Sequence, residues 1–208
     1  MYPIETLGAS PFTIICMVVL AYFIGNISPS TILAKANGID IKSAGSGNAG
    51  TTNALRVLGK KAAIITLIVD VLKGTIAVLL GHYVGGHFTA MLCVVGVFCG
   101  HIWPIIYKFK GGKGVATAFG SLVGLNVAMG FTALLIVIIG VLVTKRMSAG
   151  SVLGAATFPI IAWIFEPGFI YLGTVLAMLV LVKHRANIKR LINGEEPKLN
   201  FKKKERTS

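Results

Sequence analysis

Apolar runs recur along almost the whole chain, separated by short polar or glycine-rich breaks. Seven of them predict helices at 12–28, 61–80, 88–106, 115–127, 131–144, 149–165 and 169–182. "SPS" closes the first run, "GHYVGGH" makes the turn after the second, Pro104 interrupts the end of the third, and "EPG" at 166–168 precedes the seventh. The fourth run falls short of the roughly 20 residues that a full span needs. Several short runs leave a second count open, five spans with half-helices or re-entrant segments. Either count is odd, so the two termini lie on opposite sides. The expected fold is all-α, a polytopic integral membrane helix bundle with seven transmembrane helices. One transmembrane domain is expected over 1–191, with a basic, partly disordered tail over 192–208 and neither internal repeats nor a soluble domain.

Composition strengthens this picture. Charged residues make up 13% of the chain and mean hydropathy is +0.82, whereas a soluble domain carries about a quarter charged residues. The net charge of +13 raises nucleic acid as a partner, but its distribution argues otherwise. Lys35, Lys42, Arg56, Lys60 and Lys61 form one cluster, Lys108, Lys110 and Lys113 a second, and Lys145 and Arg146 a third. Nine more cations lie between Lys183 and Arg206, and only Lys73 falls outside the four clusters. Paired apolar runs separate these clusters, so all can share one side. By the positive-inside rule that side is cytoplasmic, with the N-terminus outside. The expected partner is the bilayer rather than nucleic acid, and "FKKKER" suits anionic head groups. Cys16, Cys93 and Cys99 lie in apolar runs without metal-ligand company, so packing is their expected role. No basic residue precedes the first run, which does not read as a cleaved signal peptide.

"SAGSGNAGTTNALR" (43–56) is odd in so apolar a chain. Gly45, Gly47 and Gly50 match the G-x-G-x-x-G dinucleotide spacing, but no strand–helix–strand unit surrounds them. The chemistry survives without that context. Glycines let backbone N–H groups approach an anion, and successive amides form a concave nest. Ser46, Asn48, Thr51, Thr52 and Asn53 add side-chain donors, and Arg56 can clamp a phosphate through paired hydrogen bonds. The plainer alternative is a flexible loop.

"FKGGKGVAT" (109–117) is a second anion candidate. It is not a nucleotide-binding P-loop, because Gly114 follows Lys113 where Ser or Thr is required. Gly111, Gly112 and Gly114 around Lys113, with Lys110 beside them, still make a cationic turn opening into a helix, which suits phosphate. A third segment, "KHRANIKRLINGEE" (183–196), repeats His184, Asn187 and Arg190 at helical spacing, so His184 and Asn187 can face the bundle mouth together. Within the second run, Asp70 and Lys73 either pair or meet substrate. His101 and Trp103 close the third run at the same mouth, while His82 and His87 lie on the opposite face.

Together these motifs closely resemble the bacterial acyl-phosphate:glycerol-3-phosphate acyltransferases, the PlsY family. The resemblance covers essentially the whole chain, with three motifs in register. It implies transfer of a fatty acyl group from acyl phosphate to the 1-hydroxyl of glycerol 3-phosphate, giving lysophosphatidic acid and phosphate, the first step of phospholipid synthesis. It carries functional roles to Ser46, Arg56, the Gly111–Gly114 loop, His184 and Asn187, and a structural one to Glu196. It also implies a bacterial inner-membrane enzyme with a cytoplasmic-face site, and functional coupling to the enzyme that makes acyl phosphate. No cofactor or metal is expected.

The residues agree with that activity. Both substrates are phosphorylated, and two phosphate-suited loops lie on one face. The H-x-x-x-x-D dyad of thioester-using glycerolipid acyltransferases is absent at all four histidines. Lys113, Arg56, backbone amides and the neighbouring donors, Lys73 among them, are expected to hold phosphates, with Ser46 and Asn187 orienting glycerol 3-phosphate. His184 either takes the hydroxyl proton or binds phosphate while a substrate phosphate takes it. An acyl-Ser46 intermediate is disfavoured, since no base neighbours it in sequence. A phospho-anion transporter would show repeats and midplane polar residues. A CDP-alcohol phosphotransferase would need paired aspartates, and only Asp40 and Asp70 are present.

Overall fold

The computed structural model describes residues 9–199, and all regular structure among them is helical. Helix α1, Pro11–Gly25, starts where Ser10 Oγ accepts a hydrogen bond from the Thr13 N–H at 3.2 Å and proline fills the first turn. It ends three residues before the expected 28. The chain restarts as a short α2, Pro29–Ala36, and stops at Asn37 and Gly38, the latter in the left-handed region. The segment expected as bare loop contains a second short helix, α3, Thr51–Leu58, with Gly50 as its N-cap.

Helix α4, Lys60–Ile102, is two limbs rather than one straight rod. Gly86 breaks it with φ 78° and ψ −175°, and the chain doubles back there. Lys73 Nζ lies 2.9 Å from His101 Nδ1, whereas 28 residues of straight helix would separate them by about 42 Å. Limbs 60–85 and 87–102 are therefore antiparallel. The "GHYVGGH" turn is a single glycine, tighter than the sequence suggests. A 3₁₀ turn at Ile105–Tyr107 leads to α5, Val115–Leu125. Asn126 ends α5 and caps α6, Val127–Thr144, accepting from the Met129 N–H at 3.0 Å. Helices α7, Met147–Phe165, α8, Ile170–Lys183, and α9, Arg185–Ile192, complete the chain.

Among the described residues four helical stretches are long and apolar enough to cross a membrane, and a fifth if α8 and α9, bent by 61°, form one span. That count takes α4 once, although it folds into two limbs. Small residues let these helices close on one another, as expected where lipid supplies no hydrophobic drive. The Gly100 Cα faces the Tyr22 carbonyl and the Gly120 Cα faces Val71, positions where any side chain would collide with backbone. Phe98, Phe158, Phe169 and Met129 fill the main core between α4, α5, α6, α7 and α8.

The two ends of the bundle differ. At one, His87 Nε2 lies 3.1 Å from Glu166 Oε1, joining the Gly86 turn to the α7–α8 turn. At the other, the basic loops converge. Residues 193–199 pack onto this end: Arg146 Nε donates to the Glu196 carbonyl at 2.8 Å, and the Leu199 N–H to that of Lys145 at 2.8 Å. The "FKKKER" stretch and the N-terminal residues 1–8, which carried expectations about lipid contact and signal peptides, lie outside the described residues.

Candidate active site

The first loop is built around Asn53. Its Oδ1 accepts from the Ser46 N–H at 2.8 Å, and its Nδ2 donates to the carbonyls of Ala44 at 3.0 Å and Ile41 at 3.3 Å. Gly45 has φ +62°, and a side chain there would strike Asn53 Oδ1, so glycine is required on both counts. This folding leaves α3 with no side-chain cap and the Thr51 and Thr52 N–H groups without a backbone partner among the described residues. Thr51 Oγ1 is also buried without a partner. The loop docks onto the second through Lys42 Nζ, which donates to the Gly111 carbonyl at 2.8 Å.

The second loop closes onto the end of α4. Gly111 N–H donates to the Ile102 carbonyl at 3.2 Å and Gly112 N–H to that of His101 at 3.1 Å. Gly112 packs against His101 Nε2 and the Ala49 carbonyl, where a side chain would not fit. The loop ends at Gly114, the uncapped N-terminus of α5. The third motif straddles the α8–α9 bend, which falls at His184. Lys113 Nζ donates to Asn187 Oδ1, and Asn187 Nδ2 donates to Glu196 Oε1 at 2.6 Å. Glu196 also accepts from Ser148 Oγ at 2.7 Å and from Arg190 Nε at 2.7 Å. Burial works against its charge, but the hydrogen bonds from Ser148, Asn187 and Arg190 outweigh it and hold its pKa below the usual glutamate value.

A cavity of about 440 Å³ joins these parts. Ser46, Asn48, Thr51, Arg56, Lys113, His184 and Asn187 line its polar mouth, and side chains from α4 to α8 line the apolar slot below. A second cavity of about 450 Å³ shares Ser46, Arg56, Lys113 and Asn187 and adds Gly45, Lys183 and Arg190. Arg56 makes no ion pair among the described residues. Burial, helped by the Arg190 and Arg56 cations and opposed by Glu196, lowers the Lys113 pKa to about 8. Burial and the Lys183 cation, opposed by Asp40, bring Lys42 to about 8. His184 Nδ1–H donates to the Val180 carbonyl at 2.8 Å, which leaves Nε2 with a lone pair. Burial, reinforced by Lys113, lowers its pKa to about 4, so the ring is neutral at pH 7.

The structure brings most of the expected residues to the cavity wall, but not all in the expected role. Gly50, Thr52 and Gly114 line the cavity with those already named. Asn53 lines it too, yet all its polar atoms face its own loop. The Gly47 N–H is engaged by the Ala44 carbonyl, so the first loop is less an amide nest than the sequence implies. Lys110, Gly111 and Gly112 do not line either cavity. Lys73 is drawn below the mouth, 2.6 Å from the Ile27 carbonyl, 2.7 Å from Asp70 Oδ1 and 2.9 Å from His101 Nδ1. Of its two open readings, pairing with Asp70 is the one the geometry displays. Sequence reasoning missed Lys42, Arg146 and Ser148 as supports, because their partners are backbone carbonyls and a distant carboxylate that no local spacing reveals.

The site as a whole is a cationic mouth over an apolar slot in an all-helical bundle with several helices long and apolar enough to cross a membrane. Comparison with known proteins narrows this. The glycerol-3-phosphate acyltransferase family model matches residues 15–194, and the chain belongs to that family. It is 46% identical over 188 residues to the glycerol-3-phosphate acyltransferase of Thermoanaerobacter pseudethanolicus, covering 88% of this chain and 94% of the relative. To the Clostridioides difficile enzyme of the same name it is 42% identical over 203 residues, 92% and 98% of the two chains. Crystal structures of PlsY (YgiH), an integral membrane glycerol 3-phosphate acyltransferase, are similar in fold at 29% identity. The glycerol 3-phosphate form superposes with a TM-score of 0.85, covering 90% of this chain and 96% of that one. The lysophosphatidic acid form gives 0.82, covering 90% and 95%.

Proposed function

We propose that this glycerol-3-phosphate acyltransferase uses acyl phosphate as its donor and acylates the 1-hydroxyl, releasing lysophosphatidic acid and inorganic phosphate. The observation that carries the proposal is the single cavity in which Arg56, Lys113 and the free N-terminus of α3 meet an apolar slot. An acyl phosphate is an anion joined directly to a fatty chain, and that cavity has the same two parts. The glycerol 3-phosphate phosphate fits the adjoining cationic cavity between Arg56, Lys183 and Arg190. Ser46 and Asn187, shared by both cavities, orient the glycerol.

In this reading the 1-hydroxyl oxygen attacks the acyl carbonyl carbon, the bond from that carbon to the phosphate oxygen breaks, and phosphate leaves. His184 Nε2, neutral and aimed as an acceptor, takes the hydroxyl's hydrogen bond and passes the proton to the departing phosphate. Its basicity rises when two phosphates lie beside it. Lys113 and Arg56 neutralise the leaving group, a preorganised charge effect that supplies most of the acceleration.

We assign the same reading a topology. Seven crossings, counting both limbs of α4 and the 11-residue α5, put the N-terminus outside and the site on the cytoplasmic face of a bacterial inner membrane, within reach of an enzyme that makes acyl phosphate. The test is purified protein with glycerol 3-phosphate and either acyl phosphate or acyl-CoA. Lysophosphatidic acid is expected from acyl phosphate. Release from acyl-CoA alone overturns the donor assignment, and release from neither overturns the reading.

A further inference from the structure

The apolar slot has two unlike ends. Near the mouth it is open sideways: Leu67, Ile138, Leu142 and Met147 line the cavity yet are 44%, 42%, 71% and 39% exposed on the bundle's flank. These residues lie in the last turns of α6, at the start of α7 and early in α4, all beside the basic loops. In a membrane protein that flank meets lipid. Deeper in, the wall closes. Val94, Leu122, Ala155 and Leu176 are buried, and the slot ends on Phe158 and Phe169, 7% and 0% exposed. The two rings meet edge to face, 6.5 Å between centroids at 82°, a packing that resists displacement. Gly173 wedges beneath them, where a Cβ would lie 2.6 Å from Phe158 and 3.2 Å from Phe169.

We infer that this blind end is an acyl-chain ruler: the donor's chain slides in sideways from the bilayer, and the Phe158–Phe169 floor sets the longest chain that fits. The proposal rests on the acyl-transfer reading above and deepens it. Depth follows from the helices. Ser148, which holds Glu196 at the mouth, stands ten residues from Phe158 on α7, about 15 Å along the axis. A chain whose carbonyl sits at His184 therefore runs down the slot and meets the floor end-on. The side opening admits the chain but offers it no length limit, so only the floor can impose one.

The test measures kcat/KM for acyl phosphates of increasing chain length. It should rise about fourfold with each methylene buried and then drop once the tail reaches the floor. Phe158→Ala moves the drop to longer chains, and Ala155→Leu, which fills the slot higher up, moves it to shorter ones. Since Phe158 also belongs to the core, Ala155→Leu carries the test if Phe158→Ala does not fold. Thermal stabilisation by lysophosphatidic acids of graded length gives a readout independent of the donor. It should peak at the same length and shift with the same variants. A rise with no drop at any length, or a drop that the folded variants leave in place, overturns the ruler. Failure of every acyl phosphate as donor, with the stabilisation peak intact, instead overturns the acyl-transfer reading alone.

Discussion

Lys113 and His184 titrate on opposite sides of neutrality, and the site needs both in the forms they hold between. Lys113 keeps its binding cation below about pH 8, and His184 keeps its lone pair above about pH 4. The free-enzyme rate, read as kcat/KM, should plateau between these values and fall on the alkaline side as Lys113 loses its proton. Lys113→Arg should carry that limb out of the accessible range, since guanidinium stays charged. An unmoved limb in the arginine variant would assign it elsewhere. Asn53 behaves differently, because it holds the loop and not the ligand. Asn53→Ala strands the Ser46 N–H and the Ile41 and Ala44 carbonyls. It should lower unfolding stability by about 1–3 kcal/mol per buried group left unpaired, seen as a lower denaturation midpoint in detergent. Ser46→Ala should lower turnover and leave that midpoint unchanged. The sequence shows two asparagines and two threonines as equal donors in one loop. Which of them turns inward depends on the positive φ of Gly45 and Gly47, a property of the folded turn.

Each motif loop delivers a short element to the mouth, and the elements meet through backbone. Lys42 reaches the Gly111 carbonyl, and Gly112 lets the second loop lie against His101 and Ala49. Gly112→Ala should push these segments apart and displace the α5 N-terminus from the Lys113 side of the cavity. A shift of about 1 Å at such a site costs on the order of 100-fold in rate. Gly168→Ala, whose Cβ would meet only Met91 Cε at an ordinary 3.4 Å, should leave kcat/KM near that of the parent chain. Equal losses in both variants would show that the loop junction has no special demand. At this scale the long apolar helices were legible, because lipid imposes an unbroken apolar run on every span. The eight-residue helices α2 and α3 were not. Their hydroxyl, amide and proline residues read as loop, and their helicity rests on packing against α4. The glycines of the second loop were legible as a special feature, but not that the Gly111 and Gly112 N–H groups would donate to the Ile102 and His101 carbonyls, since close approach and anion binding call for the same residue.

The whole molecule separates its chemistry by face. Lys42 with Gly111, Lys113 with Asn187, and Arg146 with Glu196 tie the basic loops together at one end, while His87 and Glu166 join the turns at the other. Charge clustering in the sequence foretold the first end, because cations resist translocation and collect on one side. It could not foretell the apolar slot, whose walls come from five helices, α4 to α8. The same separation makes orientation measurable. Tyr83, 90% exposed beside the Gly86 turn, and Lys108, exposed in the connection between α4 and α5, mark the two faces. With Cys16, Cys93 and Cys99 replaced by alanine, single cysteines at these positions should report their sides to a membrane-impermeant thiol reagent. Tyr83→Cys should react in intact spheroplasts, and Lys108→Cys only after the membrane is opened. The reverse pattern would place the site outside, away from any intracellular supply of phosphorylated substrates. Labelling of both residues in intact cells would mean that α4 does not carry the chain across and back. That outcome would return the fold to five spans with re-entrant segments. The folding of α4 at Gly86 argues against that last outcome, since the Asp70–Lys73–His101 cluster binds its two limbs together just below the mouth. Tyr83 lies ten residues beyond Lys73 on the first limb, about 15 Å farther from the mouth than the cluster.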